Sequence, residues 1–221
     1  VGTVRAHRRS QDRDHAMTTH AEETRIAAAQ LDHPWDERAV DWPDLTPSSV
    51  VVEVGGYKGR WALQIAERYA PRLYVFEPQP WAAQACREVL GERAFIMDLA
   101  LGTTTGLLVM NEWNTDGCSF VRAPRVDHQG FGTVREVGTV FAELGLTHID
   151  LMLMNIEGYE YRLIPHMLDQ GVLPDRLMVQ FHPFADPSGM QQAAIYEGLA
   201  ELGYRIAWTY GVVLTAWEHV A

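Results

Sequence analysis

A glycine-rich segment near residue 50 has the residue types of a ligand-binding loop. Its sequence, VVVEVGGYKGRW, has the form E-x-G-G-x-x-G, and its acid and glycines are Glu53, Gly55, Gly56 and Gly59. Glycine allows a tight turn and a close approach of the backbone to a ligand. The free N–H groups at the start of the following helix can then bind an anionic group, such as a carboxylate or a pyrophosphate. The dinucleotide fingerprint G-x-G-x-x-G does not fit, because Tyr57 and Arg60 stand where glycine is needed.

Two further acidic residues end predicted strands that follow this loop. Glu77 lies 24 residues after Glu53, at the end of the strand 73–77. A carboxylate in this place can accept hydrogen bonds from both hydroxyls of a ribose, which NAD and S-adenosylmethionine (SAM) share. Asp98 ends the strand 94–98, where it can accept from an adenine amino group or cap a turn. These acids extend the predicted site from the glycine loop to a nucleoside.

The candidate catalytic residues belong to the later strands. Asn155 and Glu157 lie at or just past the end of an apolar strand, and His182 ends the next one. Because ligands bind at the carboxyl ends of strands in an open α/β sheet, all three should face the same edge as the loop. By residue type His182 is the best candidate for a base, and Glu157 could orient it or bind the molecule that gives up the proton. A metal is not expected, since one carboxylate makes a poor site for a hard cation.

Alternating strands and helices must position these residues. Continuous apolar segments predict strands at 50–54, 73–77, 94–98, 149–156 and 176–182. Helical spacing predicts helices at 59–69, 80–91, 139–144, 158–170 and 188–202. An additional strand is predicted at 106–113, and a hairpin around Gly211 at 204–210 and 212–220. The predicted fold is α/β, with a doubly wound, mostly parallel, seven-stranded Rossmann-like sheet that ends in an antiparallel β-hairpin.

The segment 114–133 shows few regular signals between its neighbouring elements. It combines aromatic residues with several glycines. Loops of this length in compact domains are usually functional or without fixed structure. The segment is therefore predicted to be a substrate lid.

Length and composition exclude several classes of function. The chain of 221 residues carries a formal net charge of -11, which disfavours binding to nucleic acid or to an anionic membrane. No apolar run approaches the ~18–20 residues of a membrane span. Cys86 and Cys118 are too few for a disulfide framework, so a cytoplasmic protein is expected. Residues 1–25 are polar and charged and are predicted to be a flexible leader, which leaves one domain at 26–221.

Four motifs together resemble the FkbM family of SAM-dependent methyltransferases, which have the class I methyltransferase fold. The similarity extends over about residues 48–184, and its motifs are VVVEVGGYKGRW, VFEP (75–78), DLALGTTTG (98–106) and HIDLMLMNIEGYEYRLI (148–164). The resemblance implies methyl transfer from SAM to an oxygen of a small-molecule acceptor, usually a hydroxyl of a sugar or a secondary metabolite. It implies that Glu53 and the loop from Gly55 through Tyr57 to Gly59 contact the methionine part of the cofactor, that Glu77 contacts the ribose, and that Asp98 and Leu99 contact the adenine. Pro78, in the second motif, is also expected to contact the cofactor.

Two other functions stay open at this point. An NAD(P)-dependent oxidoreductase would share the sheet, although it needs neither the terminal hairpin nor this glycine spacing. A degenerate methyltransferase fold that only binds is favoured by Leu153 and Asn155, which replace a lysine and an aspartate of the family pattern. The sequence does not indicate an oligomeric state.

Overall fold

The computed structural model describes residues 37–113, 117–121, 126–211 and 214–220. The fold reported below is that of the compact unit formed by residues 39–221. The predicted leader at 1–25 and the predicted domain start at residue 26 lie outside the described residues. No helix within the described ranges is long and apolar enough to cross a membrane.

The described chain forms eleven strands and five α-helices. In order they are a 3-10 turn (Glu37–Ala39), β1 (Val50–Val54), α1 (Arg60–Tyr69), β2 (Arg72–Phe76), α2 (Pro80–Leu90), a second 3-10 turn (Gly91–Arg93), β3 (Ala94–Met97), β4 (Ala100–Gly102), β5 (Gly106–Trp113), β6 (Gly117–Ser119), β7 (His128–Glu136), α3 (Val137–Leu144), β8 (Leu151–Met154), α4 (Glu160–Asp169), β9 (Arg176–Gln180), α5 (Met190–Glu201), β10 (Tyr204–Tyr210) and β11 (Leu214–His219).

The local sequence explains where the first elements begin and end. All five residues of β1 are buried, as expected for an apolar strand that is covered on both faces. Helix α1 begins after Gly59 and ends at Tyr69; Ala70 caps it, and Pro71, which follows, cannot continue the helix. Helix α2 has Pro80 in its first turn and Gly91 at its end, which is the usual placement of these residues.

The main sheet has seven strands in the order β10-β11-β9-β8-β1-β2-β3. Strands β1, β2, β3, β8 and β9 pair in parallel, whereas β11 is antiparallel to both β9 and β10. This confirms the predicted doubly wound sheet with a terminal antiparallel hairpin. The carboxyl ends of β1, β2, β8 and β9 therefore meet at one edge, where the candidate residues follow them.

A second sheet, with the order β4-β7-β5-β6, was not expected from the sequence. The prediction of segment 114–133 as a loop without regular structure is wrong for its described parts, because residues 117–119 and 128–133 belong to strands. Strand β7 pairs antiparallel with β5 over seven residues, and Val109 lies opposite Phe131. Its glycines hide the strand pattern, and Gly132 is needed because a Cβ there would lie 2.6 Å from Cζ of Phe120.

Candidate active site

The glycine loop is packed against two neighbouring strands of the main sheet. Gly55 has a φ of +90°, and a Cβ at this position would lie 1.9 Å from the backbone oxygen of Asn155. The N–H of Gly55 donates to the oxygen of Phe76 at 2.9 Å. A Cβ on Gly56 would lie 2.2 Å from Cγ1 of Val75. These glycines thus let the loop lie directly against the ends of β2 and β8, and they bring Asn155 beside the loop.

Glu53 places a buried carboxyl group beneath this loop. Its side chain lies in β1 and is only 2 % exposed. Its Oε2 has no hydrogen-bond partner among the described residues. Burial, followed by the nearby charge of Glu77, raises the pKa of Glu53 well above its usual range. An unpartnered buried oxygen next to a glycine loop fits a ligand that brings a positive charge or a hydrogen-bond donor.

Glu77 connects the loop to the end of β2. Its Oε2 accepts a hydrogen bond from the N–H of Tyr57 at 2.7 Å, and its Oε1 accepts one from the N–H of Gln79 at 2.9 Å. Burial raises the pKa of Glu77, and these two hydrogen bonds offset part of that effect. Each carboxylate oxygen has a second lone pair, so Glu77 retains the capacity to accept from ribose hydroxyls.

Aromatic side chains lie beside the glycine loop. The ring of Tyr57 meets Trp81 edge-on, with 5.5 Å between the ring centroids, and Trp81 is 45 % exposed. The ammonium of Lys58 lies 4.9 Å from the centroid of the Tyr57 ring. Pro78 follows Glu77 and is half-buried. These residues form a partly apolar border to the predicted nucleoside site.

The third predicted cofactor contact is already engaged in the structure. Both carboxylate oxygens of Asp98 bind the guanidinium of Arg87, and the Oδ2 to Nη1 distance is 3.2 Å. This ion pair lies at the surface. Leu99 is half-buried and packs against the core. The predicted contact of Asp98 with an adenine would compete with Arg87, and the role stays a prediction.

The structure brings two of the three candidate catalytic residues together. Nε2 of His182 lies 3.4 Å from Oε1 of Glu157. Its Nδ1 lies 3.1 Å from Oε1 of Glu160. Burial alone would lower the pKa of His182, but the charges of Glu157 and Glu160 outweigh burial and raise that pKa well above its usual range. His182 is therefore an imidazole held between two carboxylates.

Glu160 was missed by sequence reasoning. It is fully buried, and its Oε1 also accepts from the backbone N–H of His182 at 2.8 Å. Its Oε2 accepts from the N–H of Gly158 at 2.8 Å. In the sequence, Glu160 follows Glu157 by three residues and lies in the first turn of a predicted helix. An acidic residue in that position is explained by its favourable interaction with the helix N-terminus. Only the packing of α4 against the end of β9 turns it toward His182.

Asn155 lies beside the glycine loop, two residues before Glu157. Its backbone N–H donates to the oxygen of Val54 at 2.9 Å, which continues the pairing of β8 with β1. Its side-chain Oδ1 is buried and has no hydrogen-bond partner among the described residues. Asn155 therefore offers an acceptor to a ligand, and its catalytic role stays a prediction.

Strand β6 lies against the turn that carries Glu157. The hydroxyl of Ser119 donates to the backbone oxygen of Glu157 at 2.5 Å. A Cβ on Gly158 would lie 2.9 Å from Cγ2 of Val121, so this turn fits closely under the end of β6. Burial, then the charges of Glu77 and Glu157, raise the pKa of Cys118. Strand β6 thus comes near the carboxylates of both Glu77 and Glu157.

The strand order and the acid-bearing glycine loop together define the class I methyltransferase fold. No protein-family model matches the chain. It is similar to the 2-O-methyltransferase NoeI of Sinorhizobium fredii, with 29 % identity over 53 % of this chain. The chain spans 57 % of the length of this curated relative.

Solved structures with a similar arrangement have low sequence identity to the chain. An rRNA methylase from Streptococcus thermophilus is 13 % identical, with a TM-score of 0.46 and coverage of 80 % of this chain and 90 % of that chain. The SAH-bound methyltransferase PaMTH1 of Podospora anserina is 14 % identical, with a TM-score of 0.48 and coverage of 78 % of this chain and 72 % of that chain. At these scores the fold assignment rests on the strand order itself.

Proposed function

We propose that the chain is a SAM-dependent methyltransferase that methylates a hydroxyl oxygen of a small-molecule acceptor. The observation that carries the proposal is the contact of Gly55 with Asn155, because it joins the glycine loop to the strand end that leads to Glu157, which lies 3.4 Å from His182. A cofactor loop and a proton-accepting cluster thus share one edge of the sheet. The similarity to a 2-O-methyltransferase supports the same reaction class.

The loop side of the site has groups that suit this cofactor. The unpartnered Oε2 of Glu53 would attract the positively charged methionine part, and Glu77 would accept hydrogen bonds from the ribose hydroxyls. When bound, SAM supplies a methyl group on a positively charged sulfonium. Tyr57 and Trp81 would border the nucleoside and exclude water from one side.

The strand-end cluster would handle the acceptor's proton. A hydroxyl is a weak nucleophile until its proton has an acceptor, and a positioned base typically contributes about 10²–10⁴-fold to the rate. His182 is the proposed base, and Glu157, whose side chain is 22 % exposed, is the outermost member of the cluster. Glu157 would bind the acceptor or orient the ring of His182. Positioning of the two reactants supplies the rest of the rate enhancement.

The charge around this cluster favours an acceptor without negative charge. Glu77 and Glu157 lie at the same edge, and the whole chain has a net charge of -11. An anionic acceptor, including the phosphates of RNA, would be repelled there. A neutral sugar or secondary-metabolite hydroxyl is the acceptor class we propose. The cysteines Cys86 and Cys118 are free, in keeping with a cytoplasmic location.

Cofactor choice can be tested by calorimetry on the full chain. We expect binding of SAM and S-adenosylhomocysteine (SAH) at micromolar concentrations, and no measurable binding of NAD. Glu77→Gln should weaken SAH binding at least about tenfold, since a hydrogen bond to a charged group contributes ~1.5–3 kcal/mol. Glu88→Gln, on the exposed face of α2, is the control and should leave SAH binding unchanged. Binding of NAD without SAM or SAH would overturn the proposal in favour of an oxidoreductase.

Turnover can be tested with radiolabelled SAM and a panel of hydroxylated sugars and polyketides. His182→Ala should lower turnover by about 10²–10⁴-fold and leave SAH affinity within about twofold, because the imidazole faces the acceptor side. EDTA should have little effect. Loss of turnover with EDTA but not with His182→Ala would assign activation to a metal. Binding of SAH without turnover of any acceptor would favour a non-catalytic binding subunit.

A further inference from the structure

We propose that Glu160 is the positioning residue of the site: it holds a proton on Nδ1 of His182, so that Nε2 is the ring nitrogen that accepts the acceptor's proton. The inference rests on the proposed function, because His182 is the base only if the chain is a methyltransferase with a hydroxyl acceptor. Nothing in the sequence pattern assigns Glu160 this part.

The tautomer follows from the donors that meet Glu160. Oε1 of Glu160 lies 2.8 Å from the backbone nitrogen of His182 and 3.1 Å from Nδ1 of the same residue. Oε2 of Glu160 lies 2.8 Å from the backbone nitrogen of Gly158. A carboxylate that receives several N–H donors is favoured in its ionised form, and an ionised carboxylate only accepts hydrogen bonds. The ring nitrogen that faces it must therefore carry a proton. In neutral imidazole, that leaves Nε2 without one.

The three side chains form a line from the core to the site. Glu160 is fully buried, the side chain of His182 is 9 % exposed, and that of Glu157 is 22 % exposed. Nε2 makes no hydrogen bond to the described residues, although Oε1 of Glu157 lies 3.4 Å away. The acceptor's O–H bond breaks as an N–H bond forms at Nε2, either directly or by way of Glu157. The imidazolium that results is stabilised by the charge of Glu160.

This arrangement has a pH signature that a purely structural Glu160 would lack. The ionisable groups that face His182 are Glu157 and Glu160, with the buried hydroxyl of Tyr161, whose pKa is raised, nearby. A base must be neutral, so kcat rises with pH through the pKa of His182. Glu160→Gln removes a carboxylate that raises this pKa, so the rise in kcat should move to lower pH.

The plateau of kcat should also fall. Without a fixed Nδ1–H, the ring no longer keeps Nε2 free and oriented, and loss of such an orienting carboxylate costs up to ~10⁴-fold in a comparable triad. We expect a loss of at least about tenfold in Glu160→Gln, with SAH affinity unchanged. A residue that only stabilises the fold would lower the melting temperature and leave the midpoint of the pH profile where it is.

The test combines pH profiles of kcat with ¹⁵N NMR of the histidine rings. The NMR spectra are recorded on the full chain without added ligand, and the signals of His182 are assigned by their loss in the His182→Gln variant. We expect the neutral ring of His182 to be protonated at Nδ1, and its titration midpoint to move to lower pH in Glu160→Gln. Glu136→Gln is the matched control: it removes a carboxylate 2.9 Å from Nε2 of His166, outside the site, and should leave His182 unchanged.

Each outcome separates this inference from the proposed function. An Nε2-protonated neutral ring in the wild type, or an unchanged midpoint in folded Glu160→Gln, would overturn the role of Glu160. The wild-type tautomer decides the question even if Glu160→Gln does not fold. Failure of SAH binding or of turnover would instead overturn the proposed function, because the NMR measurement requires neither.

Discussion

Replacing Gly55 with alanine should destabilise the chain more than replacing other glycines that have a positive φ. A non-glycine residue in this backbone region costs about 1–2 kcal/mol. At Gly55, the new Cβ would also lie 1.9 Å from the oxygen of Asn155, a backbone atom that cannot rotate away. Overpacking of this kind typically costs a further ~1–3 kcal/mol. The sum, roughly 2–5 kcal/mol, corresponds to a fall of about 5–15 °C in Tm for a domain of this size.

Gly145 is the matched control, because it isolates the backbone cost. Its φ is +66°, and a Cβ there would have no atom within 4 Å among the described residues. Gly145→Ala should therefore lose only about 1–2 kcal/mol. Urea and thermal unfolding of both variants measure the difference directly. Equal losses in the two variants would refute the contact between the loop and Asn155, and with it the link between the two halves of the site.

The remaining predictions concern pH and reactivity. The pKa of Glu53 is raised in the fold, so this carboxyl group destabilises the fold once the pH exceeds the ordinary pKa of a glutamate. Glu53→Gln should therefore have a higher Tm than the wild type at pH 8 but not at pH 4. The same difference in Tm at both pH values would contradict this prediction. Burial acts to raise the pKa of Glu136, but hydrogen bonds from Thr139 and His166, among others, lower it to about 2. Glu136→Gln should therefore be less stable than the wild type at pH 7. Thermal unfolding scans should show this loss of stability shrinking as the pH falls from ~4.5 towards 2. Burial raises the pKa of Cys86 to about 12, so iodoacetamide at pH 8 should modify it about 10³-fold more slowly than a free thiol, as peptide mass spectrometry would show.

The main sheet could be predicted because its strands carry their own signal. Residues Leu151–Met154 are all buried and apolar, and such a segment between helical patterns indicates a parallel strand. The structure shortens the predicted strand 149–156 to these four residues, since Ile149 and Ile156 lie in the flanking turns. The hairpin could be predicted from Gly211 between two strand patterns.

The second sheet could not be predicted because its strands depend on partners distant in sequence. Strand β4 has three residues, and β7 contains Gly130 and Gly132, which weaken the usual strand pattern. Leu107 and Phe131 point away from the core and are 69 % and 73 % exposed. Alternation toward a hydrophobic core, the signal on which strand prediction depends, is therefore faint here.

The candidate site likewise contains residues that could be placed from the sequence and residues that could not. Glu77 and His182 could be placed because each follows a strand of the main sheet, and the topology brings strand ends to one edge. Glu160 could not, because its partner lies 22 residues away and its direction depends on how α4 begins. Asp98 illustrates the opposite case: its position at the end of a strand was foreseen, but the pairing with Arg87 depends on a helix turn beside it.

The hydrogen bond from Ser119 to the backbone of Glu157 couples strand β6 to the candidate catalytic cluster. Glu157 has a φ of +52°, a conformation that a glutamate rarely keeps without support. A displacement of β6 would remove that support and would free Glu157 to leave its position 3.4 Å from Nε2 of His182.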